Sequence, residues 1–469
     1  MLKRTLFLLT CIICGFQVKA QDSIKVFSCE DFFDLVLKNH PIAQQASLLT
    51  ESARQEIRTI RGAFDPKINS DLSQKQFQSK EYYTLWDSYL KIPTWAGIDI
   101  KAGYEKNTGG FVSNEHVTPS QGLAYLGLSL PIGQGLIIDE RRSQLRQAQQ
   151  LPVIAEAERI KVINKLLLQA AKDYWDWMFY YNKLVLYRKG YTMASTRYEA
   201  VKERAKLGDL ASIDTVEAAM QMQSFQIMLA LSELEYQNSS LILSNYLWTE
   251  DGQPLEITGK IKPSEEFPPS GLSAETIESL IQRAKTSHPD ILKLRAKINQ
   301  LDVERRYRAD KFKPKVLLEY NILQTGFPVN GEALNSSYLS NNYKFGASLS
   351  YPLFLRYERG KYQLTKLKIQ DAGYELKQTN REIENNIQAS ANEWLATEKQ
   401  VRFQESFVKN AEALRVGEQM RFENGESSVF LINARETALI SSQVKLYEMR
   451  AKYAKSRVML EWAAGAVNQ

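Results

Sequence analysis

The sequence predicts a mainly α-helical protein with a smaller β component suited to a barrel. Two tracts, 136–206 and 354–421, read as very long helices. The second keeps Ile387, Trp394, Val401 and Val408 on one seven-residue row beside Leu376 and Ile383, the period of helices packed side by side as in a coiled coil. Segments of alternating polarity precede each tract. The whole pattern recurs: Asn39-His40-Pro41-Ile42 returns as Ser287-His288-Pro289-Asp290, and Phe64-Asp65-Pro66-Lys67-Ile68 as Phe312-Lys313-Pro314-Lys315-Val316, both at an offset of 248 residues. A shared offset means equal spacing between the motifs, so the chain reads as two tandem copies of one topological unit.

The chain has 469 residues, enough for a sizeable core, and 24% of them are charged; disorder and small disulfide-stapled folds are poor readings. At the start, Lys3 and Arg4 precede the apolar run 6–16, and Val18-Lys19-Ala20 offers the small residues of a cleavage site. Residues 1–20 are therefore expected to be an export signal; the run is too short to span a bilayer. Of three cysteines only Cys29 lies beyond it, which leaves one thiol and no internal disulfide. Loss of Lys3, Arg4 and Lys19 lowers the formal charge from +6 to +3, a balance that gives no reason to expect nucleic acid.

The elements follow in order. The first copy is expected over 21–251, a linker over 252–271 and the second copy over 272–469. In each, a helix of about 25 residues follows the His-Pro pair (His40-Pro41, His288-Pro289) and ends before Pro66 or Pro314, because proline restricts the residue before it and lacks an amide proton. Hairpins are predicted over 67–130 and 315–351, four strands in all, closing at Pro131 and Pro352. The stretch 82–121 is longer in the first copy and reads either as an extended loop or as further strand. Long helices follow, and both break at glycine: 207–212 around Gly208-Asp209, and 423–428 around Gly425-Glu426, each with a hydroxyl residue where the next helix begins. Return helices are expected over 213–247 and 429–462.

No run of eighteen apolar residues follows the leader, which excludes a bundle of inner-membrane helices. Barrel strands need only about ten alternating residues, and an ordinary half-buried hairpin has the same pattern. Four strands are fewer than the eight of the smallest barrels, so a barrel requires several copies of the chain; closure also removes sheet edges that lipid does not tolerate.

The repeated Asn/Ser-His-Pro, the Phe-x-Pro-Lys, the hairpins ending in Leu/Tyr-Pro and the Gly208 and Gly425 turns within long helices resemble the TolC-like outer membrane efflux factors, over essentially all of 25–465. The resemblance implies a homotrimer whose four strands per chain form one twelve-stranded barrel in the outer membrane of a Gram-negative bacterium, with a helical barrel extending into the periplasm. It implies a passive exit channel for a tripartite efflux pump or a type I secretion system. Its partners would be outer membrane lipid, a periplasmic membrane-fusion adaptor, and an inner-membrane pump or ABC exporter. The docking tips would be Arg204, Gly208, Asp209, Arg421, Gly425 and Glu426. The family's closed state narrows at this tip through aspartates just after the second turn; the comparable positions here hold Leu431 and Ala434, while the first copy has Asp214, so an aperture lined by these three residues would be apolar on the second hairpin or would use Glu426 instead. Arg204 and Arg421 either contact the adaptor or serve as helix-end cations favoured by the dipole.

Other readings are weaker. Three histidines are too few for a catalytic or metal set, and no zinc or phosphate motif accompanies them; His40 and His288 fit capping or local packing, and His116 lies in a polar loop. No enzyme activity and no cofactor are expected, since no convergent acid, base or nucleophile set stands out. The aromatic run at 174–181 reads as helix packing before ligand cage. The competing class is an exported, non-conducting coiled-coil scaffold or periplasmic adaptor, but an adaptor more typically places one helical hairpin among β domains.

Overall fold

The computed structural model describes residues 25–257, 261–264, 266–267, 271, 273–326 and 341–465; the expected export signal at 1–20 and part of the 252–271 linker lie outside them. Each copy opens with two short helices: α1 (Cys29–Asn39) and α2 (Pro41–Arg61) in the first, α6 (Ala274–Ser287) and α7 (Pro289–Asp310) in the second. Between them come α3 (Glu140–Ala148), the long α4 (Leu151–Lys206) and α5 (Ser212–Ser244); the second copy ends with α8 (Arg356–Glu423) and α9 (Val429–Ala463). Pro152 does not interrupt α4. It sits in the first turn, where its missing amide proton costs nothing, and the break falls just before it.

His40 and His288 are both N-caps. Their Nδ1 atoms accept from the amides of Ile42 (3.1 Å) and Asp290 (3.2 Å), and Pro41 and Pro289 occupy the first helical position. The repeated His-Pro pair is thus a helix-start device in which the ring satisfies an orphan amide and the proline presets the backbone. Burial holds the His288 imidazole below its ordinary pKa; Asp290 opposes this and Lys161 reinforces it. The neutral ring keeps Nδ1 available as an acceptor.

The described residues gather into two compact units, each drawing on both copies. One comprises the described parts of Met1–Val36, Ala170–Pro268 and Val401–Lys452. It holds a two-stranded parallel sheet, β1 (Lys25–Phe27) with β6 (Ile261–Pro263), beside an aromatic core. Tyr174 and Trp177 are fully buried with Phe32; Tyr174 stacks on Phe32 at 5.5 Å and donates its hydroxyl to the Phe27 carbonyl at 2.7 Å. Trp177 Nε1 donates to Ser240 Oγ at 3.1 Å. Both rings thus have their polar atoms paired, and the packing reading of 174–181 holds for Tyr174 and Trp177.

The other unit comprises the described parts of Leu37–Gln169, Pro269–Gln400 and Tyr453–Gln469. Along α8 the predicted seven-residue row is buried at Ile387 and Trp394, with Ile383 beside it. Trp394 stacks on Tyr453 of α9 at 6.0 Å. This unit also carries the main sheet, whose strands are β2 (Lys67–Phe77), β3 (Lys80–Pro93), β4 (Asp99–Thr108), β5 (Leu123–Gly133), β7 (Lys315–Thr325) and β8 (Tyr343–Ser350). Their order is β2-β3-β4-β5-β7-β8, and every neighbouring pair is antiparallel.

Two expectations are corrected here. The sheet has six strands among the described residues, not four, because the surplus of 82–121 is largely strand: β3 and β4 form an additional hairpin inside 67–130. The alternation was obscured because Tyr83 and Tyr89 share a face with Asp87, so both faces of β3 look apolar by residue type. Strand β5 also does not close at Pro131 but continues to Gly133, pairing Pro131 with Leu317. The last β4 pair is Asp99 with Ser129, so Pro131 lies where β5 has one side without a ladder, the setting in which a strand tolerates proline.

Candidate functional site

The sheet has two chemically opposite faces. Register places Ile68, Leu90, Ala102, Leu126, Ile322 and Tyr343 on one level of one face, and Lys67, Lys91, Lys101, Gly127, Asn321 and Lys344 on the adjacent level of the other. From the strand starts to the irregularity at Lys75/Gln76, every Asp, Glu and Lys of the six strands lies on this second face except Lys106. The first face is apolar yet uncovered within one chain: Ile68 is 83% and Leu349 72% exposed. Side chains on the polar face satisfy one another. Lys101 Nζ lies 3.0 Å from Glu319 Oε1, Lys91 3.0 Å from Asp99, and the Tyr125 hydroxyl donates to Asp87 at 2.8 Å. A water-soluble sheet would turn its apolar face inward against other protein; this sheet leaves it open.

The rim where strands meet helices is tightly tied. Trp95, in the β3–β4 turn, stacks on Phe64 at 4.3 Å. Arg142 of α3 donates to the carbonyls of Leu136 (2.9 Å), Ala96 (3.5 Å) and Gly135 and, through Nε, to Asp139 at 3.1 Å. Asp139 also caps α3 by accepting from the Arg142 amide at 2.8 Å. Burial pushes its carboxyl up, but these bonds and the charges of Arg142 and Arg141 outweigh that and hold it below the usual carboxylate range. The buried Asp310, just past Tyr307 on α7, accepts from the Gly135 amide at 2.6 Å and from Lys313 Nζ at 2.6 Å.

The two helical turns share one geometry. Gly208 (φ +84°) and Gly425 (φ +79°) adopt the left-handed conformation. The amides of Asp209 and Glu426 reach back to the carbonyls of Arg204 (3.0 Å) and Arg421 (2.8 Å), the six-to-one bond of a Schellman ending. Arg421 Nη2 donates to the Glu426 carbonyl at 3.3 Å, so its guanidinium closes its own turn; Arg204 is exposed. A hydroxyl start is found only at the second turn, where the Leu431 amide donates to Ser428 Oγ at 3.3 Å. At the first turn the N-cap is Ala211, without a side-chain bond. Beneath the turns Val201, Ala218 and Val429 form one buried cluster, with Leu210 and Phe422 packed against it. Asp214 lies in the first turn of α5, a favourable place for an anion, and Leu431 and Ala434 are exposed on α9.

Deeper along the same helices, Arg197 of α4 makes a bidentate ion pair with Glu436 of α9 and donates to Asn433 Oδ1 at 3.0 Å. Neither was foreseen, because isolated charges on two helices do not reveal that they meet. A second feature was legible and missed: Ile213, Met220, Ile227, Leu234 and Leu241 recur every seven residues on α5, all between 53% and 75% exposed. Such a row on a coiled-coil helix calls for another helix.

A protomer combining long helical hairpins with a two-faced antiparallel sheet is the class these features define, and its fold is that of the outer membrane channels. Residues 280–466 match the family model described as outer membrane efflux protein, so the resemblance read from the sequence is met over most of the second copy. The whole chain is similar in fold to three solved structures. The Campylobacter jejuni CmeC outer membrane channel has TM-score 0.63 and 14% identity, with 93% of this chain and 85% of that one covered. The outer membrane protein VceC of Vibrio cholerae has TM-score 0.63 and 14% identity, covering 94% and 97%. The open state of the Neisseria gonorrhoeae MtrE outer membrane channel has TM-score 0.65 and 13% identity, covering 93% and 89%. No curated protein sequence matches the chain.

Proposed function

We propose that the protein is the outer membrane exit channel of an efflux or secretion assembly, formed by three copies of the chain and conducting passively. The two-faced sheet carries this reading. Its open apolar face suits the hydrocarbon of a bilayer, and its opposite face, lined by paired carboxylates and lysines, suits a wet interior. No helix among the described residues is long and apolar enough to cross a membrane. The seven-residue row on α5 supplies a seam for helices of a second copy.

In this reading the turns at Gly208 and Gly425 face the periplasm and present Arg204, Asp209 and Glu426 to an adaptor, while Arg421 holds its turn closed. Leu431 and Ala434 make the contribution of α9 to any constriction apolar, and Asp214 is the carboxylate that α5 offers in its first turn. Opening is then a rearrangement of packed helices, driven by an adaptor that binds the open arrangement better than the closed one.

The test is to purify the protein from outer membrane fractions in detergent, determine its mass, and record current after insertion into a planar bilayer. A trimer giving discrete conductance steps is expected. A chain that stays monomeric in lipid and passes no current overturns the channel and leaves the non-conducting scaffold.

A further inference from the structure

We propose that each copy contributes six strands to the membrane barrel, with β8 of one copy pairing antiparallel to β2 of the next, so that the trimer closes an eighteen-stranded barrel in place of a twelve-stranded one. This rests on the trimeric channel reading and specifies the conduit's wall. The outer strands of the sheet are β2 and β8, and among the described residues neither has a partner on its outer side. An open ladder is not tolerated in hydrocarbon.

Three observations make β2 a wall strand and not part of a loop. It follows α2 through Pro66 as β7 follows α7 through Pro314, so it starts at the rim where the sheet meets the helices. Its charged side chains stay on the polar side with Asn69 and Asp71, while Ile68 and Leu72 lie on the apolar side, where Ser70 is hydrogen-bonded to Ser88 and Trp86. The β3–β4 hairpin that separates it from β5 is tied to that rim by Trp95 on Phe64 and by Arg142 at the Ala96 carbonyl. Because β2 leaves the rim and β8 returns to it, their pairing between copies is antiparallel like every other pair in the sheet.

The consequence is a wider bore. With strands about 4.8 Å apart and tilted by about 40°, eighteen strands enclose a backbone diameter of about 36 Å, against about 24 Å for twelve. Barrels of sixteen to eighteen strands leave an aqueous channel, here lined by Lys101, Glu319, Asp87 and Tyr125.

The experiment is a cysteine scan in full-length protein carrying Cys29→Ser. Polar-face positions of β2 (Asn69→Cys, Asp71→Cys, Ser73→Cys) are paired in turn with Ser348→Cys and Ser350→Cys on β8, oxidised in isolated outer membranes, and resolved by mass. In parallel, cryo-electron microscopy of the detergent-extracted Cys29→Ser trimer counts the strands directly. At least one β2–β8 combination is expected to give covalent dimers and trimers, and the image eighteen strands. A trimer with twelve strands, or cross-links of β8 to Lys101→Cys on β4 of a neighbour but not to β2, overturns the inference and leaves the channel reading standing. A two-copy barrel of twelve strands, or a disulfide formed only within one chain, also overturns it. Absence from the outer membrane sinks both.

Discussion

Leu128 offers the most direct test of which sheet face meets lipid. It is the middle residue of β5, lies on the apolar face between Ile100 of β4 and Tyr320 of β7, and is 54% exposed in the single chain. An arginine on the lipid face at mid-membrane costs about 2–4 kcal/mol. Losing the leucine's contact with hydrocarbon over roughly half its surface adds about 1 kcal/mol. Leu128→Arg should therefore destabilise the membrane-inserted state by about 3–5 kcal/mol per chain, a shift in the folding equilibrium of about a hundredfold to a few thousandfold. Urea titration of folding into phospholipid vesicles, followed by the mobility of unheated samples on gels, measures this. Ser348→Arg on the polar face of β8 is the matched control and should fold almost as well as the parent. If Leu128→Arg inserts normally and Ser348→Arg does not, the faces have been assigned the wrong way round; if both insert equally well, the sheet does not lie in lipid.

Removing one partner of a buried ion pair strands the other. The Glu436 side chain is only 2% exposed beside Arg197, so Glu436→Ala should cost about 3 kcal/mol, whereas the double change Arg197→Met with Glu436→Leu should come close to neutral; helical circular dichroism during thermal unfolding in detergent distinguishes them, and a double variant as unstable as the single refutes the pairing argument. The His288 imidazole has a depressed pKa in the folded protein, so below about pH 6.5 the unfolded chain takes up the proton first; stability should be flat above that pH and decline on acidification, and His288→Asn, which caps without titrating, should reduce the decline in pH-resolved melting. Gly425→Val forces a branched side chain into the left-handed region at a cost of about 1–2 kcal/mol or more, and hydrogen exchange around residues 421–430 should rise while exchange in β5 and β7 stays unchanged.

The sequence disclosed the helical framework because its signals are strong and local. A 68-residue tract without proline became one helix, the His-Pro pairs became caps, and both turn glycines took the conformation for which glycine is the default residue. The strand count was harder to read. In β3 the aromatic rings of Tyr83 and Tyr89 line the polar face, and Tyr125, another such ring, is useful there because its hydroxyl meets Asp87; a two-class alternation cannot register a residue that serves on both sides. The turn between β2 and β3 was hidden for a different reason. Gln78 and Ser79 both have positive φ, +50° and +60°, where hairpins usually place asparagine and glycine, so no punctuation marked it. Contacts between distant elements, such as Arg197 with Glu436 or Asp310 with Gly135, depend on tertiary placement that no local pattern encodes.

The additional hairpin also shows how this architecture can grow. Inserting two strands changes the width of the sheet but not its parity: the chain returns to the rim it left, and β5 delivers α3 to the same end of the sheet as before. A single added strand would have carried the whole helical hairpin to the opposite end and set two parallel strands against each other at the junction between copies. If the proposed trimer forms, changes in bore are therefore open to this fold only in steps of two strands per chain, six per trimer, and the turn that such a step adds is here held at the rim by Trp95 on Phe64 and Arg142 at the Ala96 carbonyl.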